Sequence, residues 1–260
     1  ARREGPGGVG SARSRRGIRY PVREMPRPGD LVAFDVDGTL VAHPEGRVVW
    51  QILNRRFVGD DAVNAERYGM LRRGEITYAE WVALDVGGWQ TAGATREQVF
   101  AALDELQATP GARETLEELR RRGYRLAIIS GTLDVTLEHC LPGLDIGETH
   151  LNRLHFSPDG SIAGHTATAY DMAGKARCLG EVAARLDLPL ARTTFVGDHV
   201  NDVEAARAAG FSIAWNPRSA ELEEVATVIV RGDDMRTILR YFPEAGDGVQ
   251  QLRSARDGKE

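Results

Sequence analysis

Residues 31–39 read Leu31-Val32-Ala33-Phe34-Asp35-Val36-Asp37-Gly38-Thr39: four apolar residues running straight into two aspartates and a glycine. A short apolar run of this kind suits a strand buried on both faces, as in a parallel sheet. Asp35 and Asp37 stand two residues apart, and in extended chain that spacing turns both carboxylates to the same side. Crowded carboxylates are costly unless a cation or a shared proton relieves them. An Asp-x-Asp at a strand end also serves as a turn or helix cap, so the rest of the chain has to decide between the readings.

Similar apolar runs recur at 124–129 (YRLAII), 193–196 (TTFV), 211–214 (FSIA) and 227–230 (TVIV). Helical patterns lie between them: Thr115-Leu116-Glu117-Glu118-Leu119 before an arginine-rich end and Gly123, then residues 172–186, then 200–209 closed by Gly210. Such alternation predicts an α/β protein with a doubly wound parallel sheet, whose ligand site lies beyond the carboxyl ends of the strands. A Pro-Asp-Gly turn within 155–162 (HFSPDGSI) predicts a small β-hairpin. The stretch 42–109 breaks the alternation. It reads as mostly helical, for example over Arg96–Gln107, and holds three of the four tryptophans, Trp50, Trp81 and Trp89. Falling directly after the first strand, it is expected to be an inserted helical cap, with Pro110-Gly111 marking the return. The expected organisation is therefore an arginine-rich tail at 1–29, a core of 30–41 and 110–242, a cap of 42–109 and a loose tail at 243–260.

Composition bounds the function classes without choosing one. The 260 residues carry 33 Lys+Arg against 38 Asp+Glu, a formal net charge of −5, with 42% hydrophobic residues. No apolar stretch approaches the length of a membrane span, and the start has no apolar signal-peptide region. Two cysteines, Cys140 and Cys178, are too few for a disulfide framework, so a cytoplasmic protein is expected. The six histidines lack the spacing of a zinc site. Residues 1–24 hold seven arginines and two glutamates, a balance of +5, which leaves −10 on the other 236 residues. Binding of nucleic acid through that tail is not expected on so acidic a body.

Four polar groups fall at or just after the predicted strand ends. Besides Asp35 and Asp37 these are Ser130-Gly131-Thr132, Lys175 preceded by Gly174, and Gly197-Asp198-His199-Val200-Asn201-Asp202. Singly each is weak, since serine and glycine make turns and a helical lysine is usually solvated. In this order at one edge of one sheet they supply a nucleophile, metal ligands, phosphate donors and a fixed positive charge, the parts phosphoryl transfer needs.

With those residues in view, DVDGTL at 35–40, SGT at 130–132, Lys175 and GDHVND at 197–202 resemble the four signature motifs of the haloacid dehalogenase superfamily. The helical insertion, the hairpin ahead of the lysine and the closing Asn-Asp are similar to its phosphoserine phosphatase branch. The resemblance implies a Rossmann-like core and a phosphatase acting on a small phosphate monoester. It implies Asp35 as nucleophile forming an aspartyl-phosphate, and Asp37 as general acid and base. It also implies Mg²⁺ held by Asp35, the Asp37 main-chain carbonyl and Asp198, with Asp202 in support. Ser130, Gly131, Lys175 and Asn201 would hold the phosphoryl group. Asp37 favours phosphate esters, since the dehalogenases of the superfamily lack a second aspartate. Glu45 falls at about the distance of the branch's substrate-binding cap glutamate. The carboxylate-binding arginine of that branch has no counterpart in 76–89 (ITYAEWVALDVGGW), and Arg72 and Arg73 precede the position. The alternatives are another small organic phosphate as substrate, a phosphotransferase or mutase, and a non-catalytic binding protein. Oligomeric state is open, between monomer and homodimer.

Overall fold

The structure, a computed structural model, describes residues 24–42, 45–60, 62–171 and 174–244. The two predicted tails fall outside these residues, except at 24–29 and 243–244. Residues 24–29 run along the body: the Tyr124 hydroxyl donates to the Pro26 carbonyl at 3.3 Å, and Asp30 accepts from the Arg27 amide at 3.0 Å.

The main sheet has seven strands: β1 (Leu31–Phe34), β4 (Arg125–Leu133), β5 (Glu148–Phe156), β6 (Ile162–Thr166), β7 (Thr193–Gly197), β8 (Phe211–Trp215) and β9 (Val228–Val230). Their order is β6-β5-β4-β1-β7-β8-β9, and β6 alone among them pairs antiparallel, with β5. β1 lies between β4 and β7, so the chain switches direction across the sheet there, and a crevice opens at its carboxyl end.

All four β1 residues are fully buried, and alternate residues serve opposite faces. Val32 and Phe34 join one core with Leu116 and Leu119 of α5 (Ala112–Arg121) and with Met235 and Ile238. Leu31 and Ala33 join another, with Cys178, Leu179 and Val182 of α7 (Lys175–Arg185) and Ala205 of α8 (Val203–Ala208). Burial of each leucine-sized side chain in these layers contributes about 1.5–3 kcal/mol. The α/β reading of the sequence therefore stands, with helices on both faces of the sheet.

Several boundaries differ from the sequence reading. Ser130-Gly131-Thr132 lies inside β4, not after it, where pairing with β5 slips between Ile129 and Leu133. The hairpin turn at 157–160 joins β5 to β6, and β5 adds itself to the main sheet. That placement rests on pairing with residues far away in sequence. A helix, α6 (Asp134–Cys140), follows β4, and the segment 200–209 divides into a 3₁₀ turn (Val200–Asp202) and α8.

After β1 a two-stranded ribbon, β2 (Val41–Ala42) against β3 (Gln107–Ala108), carries the chain out and back. Between its strands lie α1 (Val49–Phe57), α2 (Ala62–Arg72), α3 (Tyr78–Thr91) and α4 (Arg96–Leu103). The predicted helix over Arg96–Gln107 ends at Leu103, because Gln107 and Ala108 are drawn into the ribbon. Thr77 with Glu80, and Thr95 with Gln98, form capping boxes that start α3 and α4. The insertion has a polar centre. Asn54 donates to buried Asp85 at 2.9 Å and accepts from Trp89 Nε1 at 2.8 Å, while Arg67 pairs with the same aspartate. Among the described residues no helix is long and apolar enough to cross a membrane.

Candidate active site

A cavity of about 260 Å³ opens at the carboxyl ends of β1, β4 and β7, and the helical insertion closes over it. Asp35, Asp37, Gly38, Ser130, Gly131, Asp198 and Asn201 line its floor, while Trp50, Asn64, Tyr68 and Trp81 come from the insertion. Residues from four distant parts of the sequence thus meet at the switch point of the sheet.

Lys175, the first residue of α7, is fully buried, and a buried ammonium needs anionic partners. Its Nζ lies 2.7 Å from Asp35 Oδ1 and 2.7 Å from Asp202 Oδ1. Burial opposes the lysine's charge, but Asp202 and Asp35 outweigh it and hold the ammonium protonated far above its ordinary range. Asp202 is fully engaged: its Oδ2 accepts from the amides of Asp198 at 2.9 Å and His199 at 3.0 Å. Burial lifts its carboxyl to about 6, with Lys175 pulling against that rise. Asp202 therefore ties the loop after β7 to the lysine.

Asp198 is 2% exposed, and burial together with Asp35 and Asp202 pushes it up to about 8. One oxygen from each of Asp35, Asp198 and Asp202 lies within 4.8 Å of the others. An all-oxygen, mutually repelling set of this kind fits a hard divalent cation. With both oxygens of Asp202 already bonded, Asp35 and Asp198 are the carboxylates suited to direct ligation. Gly38 makes this crowding possible: at φ +83°, its missing side chain leaves the space the Asp198 carboxylate fills.

Asp37 is half-buried at the cavity wall, and burial and Asp35 raise its carboxyl to about 7, while a hydrogen bond from the Thr132 side chain pulls it back. A carboxyl titrating there can both give and take a proton near neutrality. Ser130 Oγ accepts from the Thr132 amide at 3.2 Å. The carbonyl of that same peptide, Gly131 O, accepts from Trp50 Nε1 at 2.9 Å, Asn152 Nδ2 at 2.7 Å and the Tyr78 hydroxyl at 3.5 Å. Two helices of the insertion and one strand of the sheet thus orient the peptide that orients Ser130.

The remaining expected residues separate. Asn201 reaches the cavity and donates to Asp171 Oδ1 at 3.3 Å. Glu45 does not line the cavity; its side chain is 61% exposed and pairs with Arg47, which does line it. Trp81 lines the cavity, whereas Trp89 is buried in the insertion's own core. Asp171, Asn152, Arg47 and Arg218 were not singled out in the sequence, and Thr132 was named there only as part of its motif, without a role. Asp171 stands four residues before Lys175 in the sequence, a spacing that could have flagged it. Nothing local marks Asn152 or Arg218.

The profile of the haloacid dehalogenase-like hydrolases matches residues 30–210. The chain belongs to that family. Phosphoserine phosphatase SerB2 of Mycobacterium tuberculosis is 31% identical over 210 residues, covering 80% of this chain and 49% of that protein. The phosphoserine phosphatase of Methanocaldococcus jannaschii is 27% identical over 219 residues, covering 84% of this chain and 100% of that protein. This haloacid dehalogenase-like chain spans about half the length of the Mycobacterium and Streptomyces coelicolor relatives it matches. Among solved structures, a phospho-aspartyl intermediate analogue of phosphoserine phosphatase superimposes with a TM-score of 0.64 at 26% identity, over 83% of this chain and 100% of that one.

Proposed function

We propose that the protein is a Mg²⁺-dependent phosphatase that hydrolyses a small phosphate monoester through an aspartyl-phosphate on Asp35. The observation carrying this reading is the buried Lys175, held between Asp35 and Asp202 beneath a cavity that also takes in Asp37 and Asp198.

In the first step an Asp35 carboxylate oxygen attacks phosphorus. The bond from phosphorus to the ester oxygen breaks as Asp37 gives that oxygen its proton, releasing the alcohol. In the second step Asp37 takes a proton from water, the water oxygen attacks phosphorus, and the bond to Asp35 breaks to free orthophosphate. Lys175, whose Nζ lies 2.7 Å from Asp35 Oδ1, offsets the negative charge gathered at phosphorus. Ser130, the Gly131 amide and Asn201 hold phosphoryl oxygens. Asp35, Asp198 and the Asp37 carbonyl would hold Mg²⁺, which when bound supplies positive charge against the phosphoryl oxygens.

Phosphoserine, the substrate named for several relatives, is the first ester to test. Unpaired Cys140 and Cys178 accord with a reducing cytoplasm. Asp35→Asn should abolish hydrolysis of p-nitrophenyl phosphate, and EDTA should suppress the unmodified protein until Mg²⁺ is returned. Turnover retained by Asp35→Asn would sink the proposal.

A further inference from the structure

One acid of the cavity has no part in the phosphoryl chemistry. Asp171 lines the cavity but stands outside the carboxylate cluster, and among the described residues it forms no ion pair. The cavity's two arginines are engaged elsewhere: Arg218 Nε lies 3.7 Å from Asp198 Oδ2, and Arg47 pairs with Glu45. The partners of Asp171 are neutral. Its Oδ1 accepts from Asn201 Nδ2 at 3.3 Å, and the Tyr78 hydroxyl also bonds to its carboxylate. Its Oδ2 fills the space left by the absent side chain of Gly131. A negative charge is therefore held beside the peptide that would receive the phosphoryl group. Like charges so close oppose binding unless the ester itself brings a cation.

Next to Asp171 the lining is aromatic. The Trp81 ring centroid lies 6.1 Å from that of Tyr68 and 6.2 Å from that of Tyr78, so the three rings form a continuous wall. A recess of about 30 Å³, lined by Trp50, Tyr78, Trp81, Val82, Asp85 and Asp171, shares Trp50, Trp81 and Asp171 with the main cavity. Aromatic faces attract a cation, the more so when it is desolvated, and methylated ammonium groups are recognised in this way. A primary ammonium is less well served, because its three N–H groups need acceptors. Asp171 can take one of them, whereas Asp85 is already held by Asn54 and Arg67. A trimethylated nitrogen needs no acceptor at all.

We propose that Asp171 and the rings of Trp50, Tyr78 and Trp81 form a seat for a quaternary ammonium group, which selects phosphate esters of amino alcohols whose nitrogen is fully methylated. The inference rests on the phosphatase reading and deepens it by naming a substrate class. It also makes phosphoserine a poor ester for this cavity: its carboxylate would meet an acid and ring faces, and residues 76–89 offer no arginine to hold it. Seated there, the cation would offset Asp171 beside the incoming phosphoryl group.

The test compares kcat/KM for phosphocholine with that for 3,3-dimethylbutyl phosphate, which has the same shape with carbon in place of the charged nitrogen. It also includes 2-aminoethyl phosphate and phosphoserine. Ratios between esters within one protein cancel general losses. In the unmodified protein phosphocholine should exceed each of the other three by tenfold or more, as a desolvated cation–aromatic contact allows. Asp171→Asn keeps the shape of the side chain but removes its charge, so it should bring the ratio of phosphocholine to 3,3-dimethylbutyl phosphate toward one. Trp81→Leu should lower the same ratio. A ratio left intact by either variant would overturn the seat; left intact by Asp171→Asn, it would make that acid only a positioning residue for Asn201 and Tyr78. An unmodified protein that turns over any of the other three esters as well as phosphocholine would overturn it too. Dissociation constants of phosphocholine and 3,3-dimethylbutyl phosphate with Asp35→Asn in Mg²⁺ read the ratio without turnover. If neither these esters nor p-nitrophenyl phosphate is hydrolysed, the phosphatase reading fails, while the binding ratio still decides the seat.

Discussion

Lys175 carries more of the site than any other single residue, because its ammonium is enclosed and shared by two carboxylates. Lys175→Met should leave Asp35 and Asp202 buried without their cation. The expected cost is about 3–5 kcal/mol of stability, together with loss of activity, read by urea unfolding and p-nitrophenyl phosphate turnover. A variant as stable as its parent would show that the two acids find another counter-charge. Gly38 offers a sharper test of the metal set. Gly38→Ala would force a side chain into a left-handed backbone and into the Asp198 carboxylate. Mg²⁺ affinity, measured by calorimetry, should fall at least tenfold; unchanged affinity would remove Asp198 from the ligand set.

At the scale of elements, the peptide between Gly131 and Thr132 is where α1, α3, β4 and β5 meet. Trp50→Phe keeps an aromatic side chain, though a smaller one, and removes one donor to the Gly131 carbonyl. A loss of about 1 kcal/mol in positioning corresponds to roughly fivefold in kcat/KM. It should appear as lower kcat with little change in folding midpoint. A fall in the midpoint with kcat intact would make Trp50 a packing residue only. The same elements separate what a local pattern can tell from what it cannot. β1 was legible because Leu31–Phe34 is apolar throughout and ends in acids, and both are local facts. The length of β4 was not, because Ser130 to Leu133 are held as strand by β5, whose pairing slips to accommodate them. The end of α4 was not, because Gln107 and Ala108 pair with Val41 and Ala42, some 65 residues earlier.

Over the whole molecule, three raised carboxyls gather at one point: Asp37 at about 7, Asp198 at about 8 and Asp202 at about 6. Their ordinary value when the chain unfolds is 3.8, so between those limits the native state holds more protons than the unfolded one. Stability from these groups is complete below about pH 4 and is lost as pH rises through 6 to 8. His165 and His199, whose burial lowers them below 6.5, act in the opposite sense, but that effect is spent once pH passes 6.5. Metal-free protein should therefore lose on the order of 2 kcal/mol, several degrees in Tm, between pH 6.5 and 8.5. Saturating Mg²⁺, binding the native state alone, should restore it. A metal-free Tm that climbs across this range would contradict the clustered acids.

By itself the sequence determined the α/β class, the order of the motifs and the identity of the acids, serine and lysine at the sheet edge. Those depend on short-range matters: which apolar runs end in polar residues, and at what spacing. Only the tertiary structure decided that Asp202 spends both oxygens on Lys175 and two amides. It also decided that Glu45 turns to solvent while Arg47 turns inward, and that Arg218 comes to lie beside Gly46. Where a side chain points depends on what the neighbouring segments leave room for, and these neighbours lie far apart along the chain.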